Sequence, residues 1–334
     1  MRSPIMERAL RLGATLYMPA VNPRVPDVLL GEMPFGAGSV VICLEDALAE
    51  GDIERGIEIV RQGLARRRPF TPRTGMVFLR PRNLEMARRL ARLPGIGTID
   101  GMVAPKFTLA EGYDWLELAR EHSIALMPTF ETAEYFDPSY AVRVREMFDA
   151  AGPEQILAVR VGGNDLLNTL GVRRVAGRTS HEGPLSWVLS MIASQFMAHG
   201  YPVTAPVYDI IGDLETLERE VGIDVESGFV GKTAIHPCQI PVIHAALQVG
   251  ASELRAARAI LAEGAAAVFR IDGIMCEPAT HRAWARRIIV RAEQWGVRDA
   301  VEQSEPAEIE PLARRTGPSL VPDLKADRDA ARVG

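Results

Sequence analysis

Two acidic residues of this chain follow successive apolar segments. Glu131 comes after residues 124–129, and Asp165 comes after residues 156–161. Both segments are short and contain β-branched residues, which is typical of strands buried in a parallel sheet. Because the carboxyl ends of parallel strands meet at one edge, the two carboxylates are expected to lie close together. Mg²⁺ takes few carboxylates and keeps other positions for water and substrate, so the pair predicts a magnesium site. For Asp165 alone a helix N-cap is the favoured interpretation, so the prediction rests on the pair.

More charged side chains follow the other predicted strands. They are Glu45, Asp46, Arg80, Lys106 and Asp209. Solvated loops also carry charges, but charged residues at corresponding ends of several apolar strands favour a site. A guanidinium can clamp a substrate carboxylate or stabilise a developing oxyanion beside a metal that carboxylates hold. The set therefore indicates enolate chemistry.

Eight apolar segments alternate with helical patterns along the chain. The predicted strands cover residues 14–18, 39–44, 76–80, 101–105, 124–129, 156–161, 202–206 and 228–233. This alternation favours an α/β fold, a (β/α)8 TIM barrel with appended C-terminal helices. An open doubly wound sheet is the alternative, but the chain lacks a glycine-spaced dinucleotide turn and a phosphate loop. After the sixth strand the pattern predicts a loop as far as Pro184.

The chain divides into three expected parts. Residues 1–250 are predicted to form the barrel and to carry the metal site. Two helical patterns follow in residues 251–300, and their apolar stripes predict burial against a neighbouring subunit as well as the parent barrel, as an arm and lid. Residues 301–334 are rich in Glu, Pro, Arg and Asp, which predicts a flexible tail. The basic insertion 171–183, just beyond Asp165, is a candidate for contact with an anionic substrate.

Composition narrows the classes of function. The chain has 334 residues, of which 47% are hydrophobic, and a formal net charge of −5, so it lacks the basic footprint of a nucleic-acid-binding protein. It has no apolar segment long enough to span a membrane and no signal-peptide pattern. Cys43, Cys238 and Cys276 show neither metal-type nor disulfide spacing, so a cytoplasmic location is expected. His236 is expected to be packed and hydrogen-bonded rather than a metal ligand.

Several short motifs together carry a family resemblance over residues 10–295. They are Leu44-Glu45-Asp46-Ala47, Leu79-Arg80-Pro81-Arg82-Asn83, Ala104-Pro105-Lys106, Phe130-Glu131-Thr132-Ala133, Gly162-Gly163-Asn164-Asp165-Leu166 and Gly231-Lys232-Thr233-Ala234-Ile235-His236-Pro237. In this order and spacing the chain resembles the citrate lyase β-subunit-like branch of the HpcH/HpaI aldolase superfamily. The resemblance implies a Mg²⁺-dependent barrel enzyme that cleaves or forms a C–C bond in a 3-hydroxyacyl thioester.

The resemblance also implies roles for particular residues. Glu131 and Asp165 would bind the metal, and Arg80 would face the substrate carbonyl or enolate oxygen. The acids Glu45 and Asp46 would stand behind them, supported by Lys106. The remaining expected site residues are Gly163 and Asn164, as substrate contacts, and Glu277, as a catalytic residue contributed from the arm of a neighbouring subunit in a homotrimer or dimer of trimers.

Three readings of function stay open at this point. The first is a lyase that acts through an enolate on a 3-hydroxyacyl-CoA or a related 2-oxoacid-derived substrate. The second is an acyl-CoA thioester hydrolase on the same scaffold. The third is a barrel that binds a small metabolite without turning it over. All three expect a small-molecule ligand, and neither nucleic acid nor membrane as a partner.

Overall fold

The computed structural model describes residues 4–67, 75–298 and 310–311. Eight parallel strands form its central sheet, in the order β7-β6-β5-β4-β3-β2-β1-β8. They are β1 Gly13–Pro19, β2 Ser39–Cys43, β3 Met76–Arg80, β4 Gly101–Ala104, β5 Ala125–Phe130, β6 Val159–Val161, β7 Val203–Thr204 and β8 Gly231–Ala234. The sheet closes where the Ala205 amide donates to the Gly231 carbonyl over 2.8 Å and the Val230 amide donates to the Val203 carbonyl over 2.9 Å. The predicted fold class, a (β/α)8 barrel with C-terminal helices, is confirmed.

Helices precede, connect and follow the strands. They are α1 Pro4–Leu10, α2 Val25–Leu29, α3 Ile53–Arg66, α4 Leu84–Ala91, α5 Leu109–Glu121, α6 Pro138–Ala151, α7 Gly163–Thr169, α8 Ser186–Met197, α9 Leu214–Glu226, α10 Gln239–Leu247, α11 Ala251–Leu261 and α12 Pro278–Trp295. Side-chain caps fix the start of several of them. Asn83, Asp137 and Asp213 each accept a hydrogen bond from a backbone amide in the first turn of the helix that follows. In the described part of the chain, no helix has the length and apolar character to cross a membrane.

Alternating side chains of the strands build two apolar layers. Val41, Phe78, Val103 and Met127 pack together inside the barrel and are fully buried. The residues between them face outward into a larger cluster shared with the helices. The filled interior leaves the ends of the barrel as the places where polar side chains can gather, and the carboxyl end is where barrel enzymes place their sites.

The segment after the sixth strand differs from the prediction. Instead of a loop that runs to Pro184, helix α7 begins directly after Gly162, with Leu166 and Leu167 buried. Asp165 therefore lies in the first turn of a helix. Helix α7 has seven residues and two buried apolar positions, which is too short for sequence periodicity to reveal.

The expectation for His236 is wrong in part. This residue is exposed and not packed, although its Nδ1 lies 2.9 Å from Cys238 Sγ.

The segment after the barrel folds onto itself. Helices α11 and α12 enclose an apolar cluster that buries Leu254, Ile260, Phe269 and Ile288, so these side chains need no neighbouring subunit to cover them. Short strands complete this region: β9 Val249–Gly250 pairs with β12 Val297–Arg298, and β10 Phe269–Ile271 pairs with β11 Ile274–Cys276 and with β13 Glu310–Pro311. The tail predicted for residues 301–334 otherwise lies outside the described residues.

One junction fastens α12 to the amino end of the barrel. Trp295 Nε1 donates to the Leu10 carbonyl over 2.8 Å, and a Cβ at Gly13 would stand only 2.2 Å from the indole ring. The indole lies against the His244 imidazole, with ring centroids 4.4 Å apart. His244 Nε2 accepts a hydrogen bond of 3.1 Å from the Ala14 amide, so this nitrogen carries no proton. Burial lowers the pKa of His244 from its ordinary 6.5 to about 4.

We expect His244 to make the stability of the protein sensitive to acid. The folded state keeps the imidazole neutral, whereas the unfolded chain takes up a proton below pH 6.5. The contribution is therefore complete above pH 6.5 and is lost as the pH falls towards about 4, by up to about 3 kcal/mol of unfolding free energy. Thermal unfolding across this range should show a steeper loss in wild type than in His244→Gln, which keeps an acceptor but does not titrate. Exposed His199→Gln is the control and should match wild type.

Candidate active site

A buried guanidinium forms the centre of the site. Arg80 is the last residue of β3, and its side chain is 11% exposed. Its Nη2 lies 2.6 Å from Glu45 Oε2 and 3.2 Å from Glu131 Oε1. Glu45 follows β2 and Glu131 follows β5, and both carboxylates are buried. Three strand ends thus meet through one cation, as the sequence predicts.

Lys106 contributes to the same cluster twice. Its backbone amide donates to Glu131 Oε1 over 2.8 Å, and its Nζ donates to Glu45 Oε1 over 2.8 Å. The residue has a φ of 45°, in the left-handed region that a side chain rarely adopts, and this conformation aims the amide at the carboxylate. Asp46 lies at the rim, 3.8 Å from Arg80 and 3.7 Å from Lys106, and is largely exposed.

The surroundings of Glu131 and Glu45 disfavour the ionised form of both carboxyl groups. Burial raises the pKa of Glu131 to about 7, and the carboxylates of Asp165 and Glu45 add to this effect against the opposing Arg80 and the Lys106 amide. Burial likewise raises the pKa of Glu45, despite Arg80 and Lys106. A further cation at this position would favour the ionised carboxylates, because an opposite charge nearby lowers the pKa of an acid.

Glu131 and Asp165 have oxygens to offer such a cation. Within the described part of the chain, Glu131 Oε2 has no hydrogen-bond donor and the half-exposed Asp165 carboxylate accepts no hydrogen bond. Among these residues no group of three or more His, Cys, Asp or Glu side chains is arranged to hold a metal ion. Two carboxylates are nevertheless a donor set that fits Mg²⁺, which completes its shell with water and substrate oxygens.

Gly162 makes room for the Glu131 side chain. A Cβ at this position would stand 2.2 Å from Glu131 Oε2 and 2.4 Å from Glu131 Cβ, which no real contact allows. Gly163 beside it is buried, and a Cβ there would stand 2.9 Å from Pro206. Gly163 therefore has a packing role in addition to the substrate contact predicted for it. Asn164 is exposed at the start of α7.

The structure does not bring Glu277 to the cluster. This residue precedes α12, and its Oε2 accepts a hydrogen bond of 3.2 Å from Thr280 within its own helix. Its backbone carbonyl accepts from the amides of Thr280 and His281, and its backbone amide donates to His281 Nδ1. Within one chain, the cluster therefore contains Glu45, Asp46, Arg80, Lys106, Glu131 and, beside them, Asp165.

Part of the basic insertion 171–183 is engaged inside the fold, and substrate contact by the rest of it stays a prediction. Arg174 lies 2.7 Å from Glu220 and 2.9 Å from Asp209, and His181 lies 2.8 Å from Asp224. The same two acids of α9 also hold the buried Lys232 amine, each at 2.7 Å. Arg174 and His181 are therefore bound to acidic side chains of the fold behind β8. Only Arg173 and Arg178 of the predicted basic group stay exposed.

Sequence reasoning missed two further side chains at this end of the barrel. Tyr17 points inward from β1, and its ring centre lies 5.8 Å from Arg80 Cζ and 5.3 Å from Arg160 Cζ. Arg160 lies in the middle of β6 and is 2% exposed. A signal was available, because an arginine inside a strand predicted to be buried on both faces is unusual and calls for a reason.

The family of the chain follows from a match to nearly all of the barrel and arm. The family model C-C_Bond_Lyase of the TIM-Barrel fold matches residues 6–297, and the chain belongs to this family. A (3S)-malyl-CoA thioesterase from Cereibacter sphaeroides is 24% identical over 286 residues, which is 84% of this chain and 94% of the relative.

Solved structures agree with this family. Protein CitE from Mycobacterium tuberculosis, in complex with magnesium, acetoacetate and coenzyme A, is 25% identical with a TM-score of 0.61, over 85% of this chain and 99% of that one. RipC from Yersinia pestis shares the fold at 20% identity and a TM-score of 0.57, over 74% and 99% of the two chains. Malate synthase from Haloferax volcanii shares it at 15% identity and a TM-score of 0.58, over 70% and 72%.

We expect Gly162→Ala to damage the site without unfolding the barrel. The added methyl group must displace the Glu131 side chain, since the two cannot occupy the same space. Mg²⁺ affinity measured by calorimetry should fall by about tenfold or more. Gly183→Ala is the matched control, because nothing lies within 4 Å of a Cβ at that position and its φ is not positive. Equal affinity in the two variants would show that Glu131 does not bind the metal.

Proposed function

We propose that the protein is a Mg²⁺-dependent carbon–carbon lyase or aldolase that acts through an enolate on a 3-hydroxyacyl-CoA or a related 2-oxoacid-derived substrate. The observation that carries the proposal is the largely buried Arg80, fixed between Glu45 and Glu131. Beside it, Glu131 Oε2 and the Asp165 carboxylate accept no hydrogen bond in the described chain. Membership of the C–C bond lyase family supports the reaction class.

The cluster suits the charge that such a reaction develops. Cleavage of the C–C bond leaves an electron pair on the carbon next to the carbonyl, and this charge moves to the carbonyl oxygen as an enolate. A guanidinium that is already in place stabilises that oxygen without reorganisation. Glu45 and Lys106 keep Arg80 in position, with Asp46 at the rim. Gly163 and Asn164 are proposed as substrate contacts beside Asp165.

Glu131 and Asp165 would hold the metal. When bound, Mg²⁺ supplies Lewis-acid polarisation of a substrate carbonyl. The magnesium, acetoacetate and coenzyme A in the complex of the Mycobacterium tuberculosis protein support a magnesium site and a thioester substrate here. Ionised Glu131 is needed for this role, and a nearby cation favours that form of a carboxyl with a pKa of about 7.

Hydrolysis of an acyl-CoA thioester is the second candidate. The observation that favours it is the name of the relative from Cereibacter sphaeroides, a (3S)-malyl-CoA thioesterase. Both reactions can pass through stabilisation of the same oxygen, but they differ in product. Binding of a metabolite without turnover is the third reading, and a cytoplasmic location stays a prediction.

Two assays separate these readings. With Mg²⁺, a lyase should exchange deuterium into the α-position of pyruvate or acetyl-CoA and should release glyoxylate from malyl-CoA, whereas a thioesterase should release free thiol without glyoxylate. Glu131→Gln and Asp165→Asn should each lower activity at least about hundredfold and weaken Mg²⁺ binding. Asp114→Asn, which changes an exposed carboxylate on α5, should match wild type. If the wild type neither exchanges deuterium nor releases glyoxylate or free thiol, both catalytic readings fail and binding without turnover is the reading that remains.

We also propose that Glu277 completes the site of a neighbouring subunit, in a homotrimer or a dimer of trimers. Glu277 has no contact with the cluster of its own described chain, and Ile274 and Met275 just before it are 67% and 51% exposed, on a hairpin that a neighbour could cover. Mixing Glu277→Ala protein with Asp165→Asn protein after mild dissociation should restore part of the activity, because some sites then receive both wild-type residues. A monomer by light scattering, or mixed oligomers without recovery, would contradict this arrangement.

A further inference from the structure

The Tyr17 hydroxyl is a hydrogen-bonding group at the mouth of the barrel that the cluster does not use. The residue is half-buried, and the guanidinium carbons of Arg80 and Arg160 lie 5.8 and 5.3 Å from its ring centre. Among residues 4–67 and 75–298 no partner accepts from or donates to this hydroxyl. The hydroxyl has no partner in the described chain and keeps contact with solvent, so it is available to a ligand that enters the mouth.

Arg160 is unusual for the opposite reason, because it is buried without a counter-charge. Its Nη2 donates to Thr233 Oγ1 over 2.6 Å, and its Nη1 lies 3.5 Å from Thr15 Oγ1 and 3.9 Å from Met127 Sδ. All three partners are neutral, and in the described chain it forms no ion pair. A buried unpaired cation destabilises the fold, which makes a packing role a poor explanation for it.

The two arginines determine what the phenol can do. Two guanidinium groups close to the ring hold it in place. Burial raises the pKa of Tyr17, although Arg160 and Arg80 act against this rise, so the phenol keeps its proton at neutral pH and is a donor. The positive potential of the two guanidinium groups strengthens that donor towards an anionic oxygen. Thr129, the neighbour of Arg160 across β5 and β6, adds a buried hydroxyl that has no partner in the described structure.

We propose that Tyr17 contacts the substrate, with its hydroxyl donating to an anionic oxygen of a 2-oxoacid or of the enolate derived from it, and that Arg160 is the positioning residue behind it. This inference rests on the proposed function in one respect, the location of the substrate at this mouth. It assigns recognition of the anion to β1 and β6 as well as to Arg80 on β3. The substrate class that fits is a small planar acid with charge on adjoining oxygens.

The test uses oxalate, a planar dianion that resembles such an enolate, and measures its binding by calorimetry in the presence of Mg²⁺. Tyr17→Phe keeps the ring beside the two arginines and removes only the hydroxyl, so oxalate should bind about tenfold or more weakly while Mg²⁺ affinity is unchanged. Tyr113→Phe is the matched control, since this tyrosine lies on α5 and is 60% exposed. Oxalate affinity in Tyr17→Phe equal to that of the control would overturn the contact.

A double-mutant cycle tests the role of Arg160. If Arg160 acts through the phenol, Arg160→Met should weaken oxalate binding in wild type and have little further effect in Tyr17→Phe, whereas additive losses would overturn the positioning role. Should Arg160→Met fail to fold, Arg160→Lys takes its place in the cycle, since it keeps the charge and loses the planar group.

The outcome for the proposed function is separate. Oxalate binding that depends on Tyr17, without deuterium exchange, would refute the lyase activity and support the Tyr17 contact. Deuterium exchange together with oxalate binding that does not depend on Tyr17 would support the lyase activity and refute the Tyr17 contact. No oxalate binding by wild type would overturn the inference.

Discussion

The ion pairs of Arg80 with Glu45 and Glu131 are the interaction on which the site depends. A buried carboxylate is costly unless a cation and hydrogen bonds compensate it, and one guanidinium serves two of them here. This sharing is possible because parallel pairing places Cys43 beside Arg80, so the residues that follow β2 come to the side chain at the end of β3. The Lys106 amide and amine complete the hydrogen bonding of the same two acids. Removing Arg80 would take from two buried carboxylates the cation that they share.

Two ion clusters of this protein show what distinguishes a site from a structural network. Around Lys232 the acids Glu220 and Asp224 are satisfied by Lys232, Arg174 and His181, and the two acids and the lysine are buried behind β8. Around Arg80 the acids outnumber the cations, and the pKa of Glu131 rises to about 7. The first cluster fastens the 171–183 insertion to the barrel. The second is left with capacity for a further cation, which is what a metal-dependent site requires.

The arm and the site lie at opposite ends of the barrel. Trp295 contacts Leu10 and the glycines that begin or precede β1 and β2, at the amino ends of the strands. Arg80, Glu45 and Glu131 lie at or just beyond the carboxyl ends. The apolar arm therefore contributes stability at one end while the mouth at the other stays open to ligand, which is the division of labour that barrel enzymes show in general.

The sequence alone determined the barrel and the charged residues at its mouth. Strand and helix periodicity are local properties, and parallel strands bring their ends together whatever the details of packing, so the order of residues was enough to group Glu45, Arg80, Lys106 and Glu131. Only the tertiary structure decided which of the charged residues are paired. Arg174 is paired with Glu220, 46 positions away, whereas Arg160 has only neutral partners such as Thr233, 73 positions away. Such pairings depend on the depth and direction of side chains from distant elements, which no local pattern contains. They separate Arg174, which is paired inside the fold, from Arg80, which meets the acids at the mouth.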